Sequence, residues 1–197
     1  MASGRSSPDP DPASLPGSVK ILIAGSLGVG KTTLVGAVSE VVPLRTEEYV
    51  TGQEFGIEDP TGVDPRTTTT VALDFGRITI SEDLVVYLFG APGQDRFRFV
   101  WDELRAGALG AVVLADSRRL ESSFPVVDFF DRRGTPFVVA VNCFDDATRR
   151  YRPDEVQLVL HLDPSRPVLL CDVRRRLSAK GVLIALVEHV IKRRDAG

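Results

Sequence analysis

Residues Gly25 to Thr32 read GSLGVGKT, the spacing GxxxxGK[ST], and follow directly on the apolar run VKILIA. Glycines at Gly25, Gly28 and Gly30 permit positive φ, so successive backbone N–H groups can turn inward and form a concave anion site. A helix beginning at the end of the loop adds its positive pole to the same spot. Lys31 would reach the β- and γ-phosphates as a point charge, and the Thr32 hydroxyl would sit on Mg²⁺. The competing reading is a glycine-rich turn without a ligand, and the flanking strand and helix argue against it.

Two further groups of residues extend this chemistry. The strand LVVYLFG runs into Ala91-Pro92-Gly93-Gln94. Strand ends beside a phosphate loop face the terminal phosphate in open α/β sheets. There the Gly93 N–H can bond the γ-phosphate and Gln94 can hold an attacking water in line. A later strand ends in Asn142-Cys143-Phe144-Asp145. The Asp145 carboxylate could accept two hydrogen bonds from a purine carrying N1–H and an exocyclic N2 amine. Guanine offers both and adenine neither, so Asp145 would select GTP over ATP by leaving adenine's carboxylate partner unpaired.

These residues need a scaffold of alternating strands and helices, and the chain supplies one. Strands are expected at 19–25, 71–80, 84–90, 110–116, 136–142 and 167–172, most of them continuous apolar runs suited to burial on both faces. VALDFGRITI alternates instead, and only Ser81, Glu82 and Asp83 separate it from the next strand, which predicts a hairpin and one antiparallel strand at the sheet edge. Helices are expected at 31–41, 97–106, 124–133, 153–161 and 177–193. Ser122 or Ser123 would cap the third. Val182, Leu183, Leu186, Val187 and Val190 would form the apolar face of the last. The stretch from Pro43 to Thr69 fits no element and reads as a long functional loop. Residues 1–17, rich in Pro, Ser, Asp and Gly, read as a disordered extension before a single domain over 18–194.

Composition narrows the class. The chain has 197 residues, 43% of them hydrophobic, and a net charge of −3. That is enough for one sizeable core and offers no electrostatic footprint for nucleic acid. Two cysteines, Cys143 and Cys171, fit a reducing compartment rather than a disulfide framework. With neither a secretion signal nor a spanning apolar run, the expected location is the cytoplasm, with any membrane recruitment through a partner.

Taken in order, the motifs resemble those of the Ras-like small GTPases from about Val19 to Arg193. The phosphate loop is GSLGVGKT, the first switch resembles TIGVDF at Thr70–Phe75, and the second resembles DTAGQERF at Gly90–Phe97. The base motif NKxD appears as Asn142–Asp145. The wording TTTTVALDFG and FGAPGQDRF is most similar to bacterial Ras-like proteins of actinobacterial conservon operons, related to the gliding-motility polarity GTPase. The resemblance implies a G-domain fold of the P-loop type, with six mostly parallel strands, one antiparallel edge strand and helices on both faces. It also implies GTP/GDP and Mg²⁺ as cofactors. The nucleotide-binding set would be Gly25, Gly28, Val29, Gly30, Lys31, Thr32, Thr33, Thr70, Gly93, Asn142 and Asp145, with Cys171 and Asp172 where a last base-contacting loop lies. Thr32 and Thr70 would coordinate Mg²⁺, with Thr69 the alternative to Thr70. Gln94 and Lys31 would act in hydrolysis. The resemblance further implies a roadblock-type protein and a sensor-kinase-like membrane protein as partners.

Four departures temper the catalytic reading. Gly90 stands where the family has the Walker B aspartate, Leu27 stands at a loop position usually glycine in fast hydrolysers, and Cys143 replaces the lysine beside the base. The usual Ser-Ala-Lys is absent after the sixth strand, and Ser178-Ala179-Lys180 is expected to be an ordinary helix start. The expected enzyme is therefore a weak GTPase serving as a switch. The alternative is a scaffold with static nucleotide or none, and a metabolite kinase finds no recognisable lid. Arg66 is either an arginine acting in cis on the transition-state charge or a solvated loop residue. Phe97, Phe99 and Trp101 are either a partner surface that responds to nucleotide or core.

Overall fold

The computed structural model describes residues 17–51, 68–94, 97–144 and 151–195. The first apolar run forms β1 (Gly17–Gly25), the central strand, in which Ile21, Leu22, Ile23 and Ala24 are fully buried. A strand covered on both faces needs no polar alternation, but its side chains still alternate in direction. Ile21 and Ile23 enter the core with residues of α1 (Lys31–Val38) and α5 (Arg176–Asp195). Leu22 and Ala24 enter a second core with α2 (Arg98–Arg105), α3 (Phe124–Arg132) and α4 (Pro153–Val159). Each large apolar side chain so buried contributes about 1.5–3 kcal/mol, and β1 carries that contribution to both sides of the sheet.

The other strands are β2 (Leu44–Thr51), β3 (Thr68–Ser81), β4 (Leu84–Gly90), β5 (Ala108–Asp116), β6 (Phe137–Asn142) and β7 (Val168–Cys171), in the order β2-β3-β4-β1-β5-β6-β7. Pairing is parallel from β4 through β1, β5 and β6 to β7. Among the described strands, β3 alone runs against its neighbours, pairing antiparallel with both β2 and β4. The expected doubly covered, mostly parallel sheet is therefore the fold, with helices on both faces. Among the described residues it has seven strands rather than six, because Leu44–Thr51 forms a strand inside the stretch read as loop. The antiparallel strand is accordingly second from the edge, and β2 takes the edge.

Smaller boundaries also move. Gly17 belongs to β1 rather than to an extension, and its N–H donates to the Asp83 carbonyl at 2.8 Å. Neither serine caps α3 by its side chain: the Ser123 hydroxyl is buried with no partner among the described residues, and the Ser122 hydroxyl donates to Arg119 O at 2.8 Å in a 3-10 turn. On α5, Val182, Leu183, Leu186 and Val190 are buried as expected, while Val187 is 37% exposed. Along the sheet, the chain leaves β1 toward β4, β3 and β2 on one side and β5, β6 and β7 on the other. The carboxyl end of β1 is thus the topological switch point, where open α/β sheets bind ligands.

Candidate functional site

The loop that leaves β1 at the switch point is GSLGVG, and Gly25, Gly28 and Gly30 hold φ of 147°, 77° and 106°. At Gly30 the constraint is steric as well, since a Cβ would lie 2.9 Å from Val173 Cγ2 and 3.0 Å from Asn142 Nδ2. Val29 is fully buried and anchors the loop from below. α1 starts at Lys31, so its free N–H groups and positive pole face the loop. The loop, Lys31, Thr32, Thr33, Asp74 and Gly93 surround a cavity of about 390 Å³.

Lys31 Nζ donates to Gly25 O at 2.9 Å and to Ser26 O at 2.8 Å. Burial lowers its pKa from 10.5 to about 8, with the nearby Asp74 charge opposing the shift. The ammonium is therefore held by two loop carbonyls and under-compensated, a state that an incoming phosphate would relieve. Thr32 Oγ1 donates to Asp74 Oδ2 at 2.6 Å. With its proton directed to the carboxylate, the hydroxyl keeps its lone pairs for a cation. A concave run of N–H groups, a lysine and a hydroxyl backed by a carboxylate together fit a nucleotide phosphate chain with its divalent cation. Lys31 and the loop amides would hold the phosphates. Thr32 would hold the metal, which when bound neutralises phosphate charge.

On the opposite wall, Gly93 lies so close to the loop that a Cβ would be 2.6 Å from Lys31 Nζ and 2.8 Å from both Leu27 N and Ser26 C. Half-buried Gln94 follows. The segment is fastened from behind by Trp101, whose Nε1–H donates to Pro92 O at 2.9 Å. Trp101 and Phe97 are 1% and 3% exposed, which places both in the core. Phe99 is half-buried. Burial decides for the core between the two readings of Phe97 and Trp101: the sequence shows an aromatic cluster, and only packing assigns its direction.

On the base side, Asn142 is 4% exposed. Its Nδ2 donates to Val29 O at 3.0 Å, and its Oδ1 accepts from Val173 N–H at 3.3 Å. It ties the phosphate loop to the turn after β7. The Cys143 N–H donates to Cys171 O at 2.8 Å, and burial pushes the Cys171 thiol up to about 12, so it stays protonated and unreactive. Asp172 receives the Arg174 guanidinium at 2.9 Å and its own N–H donates to Ser178 Oγ at 3.0 Å. Ser178-Ala179-Lys180 lies in the first turns of α5, as expected.

The structure thus brings Gly25, Gly28, Val29, Gly30, Lys31, Thr32, Thr33 and Gly93 to one site, with Asn142, Cys171 and Asp172 beside it. Thr70 sits in β3 opposite Tyr49. Arg66 and Asp145 lie outside the described residues. The residue to which the motifs assigned no role is Asp74, within VALDFG. It is 9% exposed and accepts the Thr32 hydroxyl proton. Its sequence signals were its place at the Asp of the TIGVDF-like stretch Thr70–Phe75 and its being the sole acid in β3.

A family model described as "conserved hypothetical ATP binding protein" matches residues 23–193. An uncharacterized protein of Methanocaldococcus jannaschii is 27% identical over 129 residues, spanning 64% of this chain and 71% of that protein. Among solved structures, the cytosolic domain of the T. maritima FeoB iron transporter in a GDP form superposes with a TM-score of 0.63 at 20% identity, covering 89% of this chain and 64% of that one. The FeoB G-domain from Methanococcus jannaschii gives 0.58 at 15% identity, covering 88% and 98%. The chain thus spans under two thirds of the T. maritima cytosolic domain and nearly all of a G-domain alone. At these identities the likeness is one of fold.

Proposed function

The chain belongs to the family of conserved hypothetical ATP-binding proteins, and from that premise we propose that it is a GTP-binding molecular switch whose own hydrolysis is slow. The observation that carries the reading is the approach of Gly93 to Lys31 and to the Ser26–Leu27 backbone, too close for any Cβ. A γ-phosphate entering beside Lys31 must either displace Gly93 or bond its N–H. Either way the β4–α2 connection, fastened through Pro92 to Trp101, reports whether a third phosphate is present. Thr70 would close on the cation from the other side, and Gln94 would orient water. Leu27, 65% exposed at the cavity rim, supports slow intrinsic turnover. Kinship with the conservon-type bacterial Ras-like proteins, a role in bacterial signalling, a roadblock-type partner and a sensor-kinase-like membrane partner belong to the same proposal, as does location in the cytoplasm. Among the described residues no helix is long and apolar enough to cross a membrane.

The family's description names ATP, whereas the Asn142-to-Asp145 spacing argues for guanine. Competition against a fluorescent GDP analogue decides. GDP should displace it at least about a hundredfold better than ADP, the discrimination of a polar pocket whose partner is missing from the wrong base. Equal competition would mean that the chain binds adenine nucleotides and that Asp145 does not read the base.

Lys31 also gives the binding a pH dependence. Its pKa is about 8 in the free protein, and phosphate favours the charged form. Below that value binding needs no proton, and above it each bound nucleotide must return one to Lys31. Affinity should therefore fall about tenfold between pH 7 and pH 9. Lys31→Arg, charged throughout, should flatten that profile in the same fluorescence titration.

The alternative of a scaffold without exchangeable nucleotide is motivated by Gly90 and Cys143. The Asp74 carboxylate beside Thr32 supplies negative charge where that reading finds none on β4.

A further inference from the structure

We infer that Asp74, on β3, does the cation-positioning work for which β4 carries no carboxylate. This rests on the nucleotide-binding reading and adds a residue to it. In the β3–β4 ladder, Asp74 is the direct cross-strand partner of Gly90. A Cβ built on Gly90 would lie 2.9 Å from Asp74 Cβ and 3.0 Å from Asp74 Oδ2. The space that a β4 side chain would enter is therefore filled by the carboxylate of the neighbouring strand. Gly90 is not a vacancy in the motif but the clearance that lets Asp74 reach across.

What Asp74 reaches is the right group. Its Oδ2 accepts the Thr32 Oγ1 proton at 2.6 Å, which turns the lone pairs of that hydroxyl toward the cavity lined by Gly28, Lys31 and Gly93. Such an outer carboxylate orients a ligand oxygen and raises its basicity, and its loss typically costs 10–100-fold in metal affinity. Asp74 is thus a positioning residue, acting on the cation through Thr32. Gly90 leaves no room for a second carboxylate, so only one of positions 74 and 90 can carry the acid.

The test is the rate at which a fluorescent GDP analogue leaves the full chain in Mg²⁺ and in EDTA, compared for wild type, Asp74→Asn and the exchange variant Asp74→Gly with Gly90→Asp. In wild type Mg²⁺ should slow release at least about tenfold relative to EDTA. Asp74→Asn keeps the shape but loses the charge, so the Mg²⁺ effect, read as the ratio of its own two rates, should fall to within about twofold of unity. The exchange variant moves the carboxylate to β4 and relieves the 2.9 Å contact, so it should recover most of the Mg²⁺ effect. An Asp74→Asn protein that keeps the wild-type ratio of the two rates overturns the inference and leaves the nucleotide reading standing. A wild-type chain that holds no guanine or adenine nucleotide, with or without Mg²⁺, takes down both.

Discussion

Replacing Lys31 by alanine should weaken GDP and GTP binding by at least about a hundredfold, or about 3 kcal/mol, while leaving the fold in place. The ammonium is the one cation lining the phosphate cavity among the described residues, and it already stands 2.8–2.9 Å from two loop carbonyls. Its depressed pKa says that these carbonyls do not fully compensate its burial. Removing it costs the free protein little, since alanine suits a first helical position and the loop carbonyls open onto a cavity of about 390 Å³ that water can enter. The two effects separate cleanly in measurement. Titration calorimetry should register the lost affinity, and the thermal midpoint without nucleotide should stay within about 4 °C of wild type, roughly 1 kcal/mol for a chain of this size. A midpoint that collapsed would mean that Lys31 is part of the core rather than of the site.

Trp101→Ala should be the most destabilising single truncation tied to the site, at about 3–5 kcal/mol. The indole is 1% exposed, packs edge-on against Phe129 at 5.1 Å between ring centroids and stacks parallel on Phe130 at 6.5 Å. Its Nε1–H also satisfies Pro92 O. Trp101→Phe separates the two contributions. It retains most of the aromatic packing but leaves Pro92 O without its donor, at about 1–3 kcal/mol. Because Pro92 adjoins Gly93, that smaller loss should fall on the γ-phosphate contact. The ratio of GTP to GDP affinity should shift in Trp101→Phe by more than its stability change alone implies, when both nucleotides are titrated at a temperature where the variant is folded.

The sheet class was legible because most strands are buried on both faces, so their sequences are plain apolar runs with turn residues between them. β1, β4 and β5 needed nothing else. β2 was not legible. LRTEEYVT is an edge strand with a neighbour on one side, and it shows neither a continuous apolar run nor strict alternation. Its pairing with β3 is made by main-chain groups, which every sequence possesses. The phosphate loop was legible because its chemistry is local in sequence. Trp101 and Phe97 were ambiguous because a stretch of aromatics does not say which way a short helix faces.

Asp74 escaped for a more specific reason. Counting back from the two-residue turn Glu82-Asp83, where Ser81 pairs with Leu84, a regular hairpin would set Asp74 against Ala91. The ladder instead shifts register between Thr79 and Ser81, and Asp74 meets Gly90. A one-residue slip exchanges the faces of a strand, so without that irregularity the carboxylate would have no defined relation to Thr32. The sequence names the residue but not the slip that aims it.

The crowding between positions 74 and 90 has a bearing on how this protein's ancestry can be traced. One carboxylate has two possible addresses, on adjacent strands, and the shared volume admits a single tenant. A lineage cannot drift from one address to the other by passing through a chain that holds both. It must first go without or change both codons together. Relatives should therefore fall into two camps, an acid on β3 facing glycine, or an acid on β4 facing a small residue. On this inference, a column-by-column comparison would score the first camp as having lost a carboxylate that sits instead on the neighbouring strand.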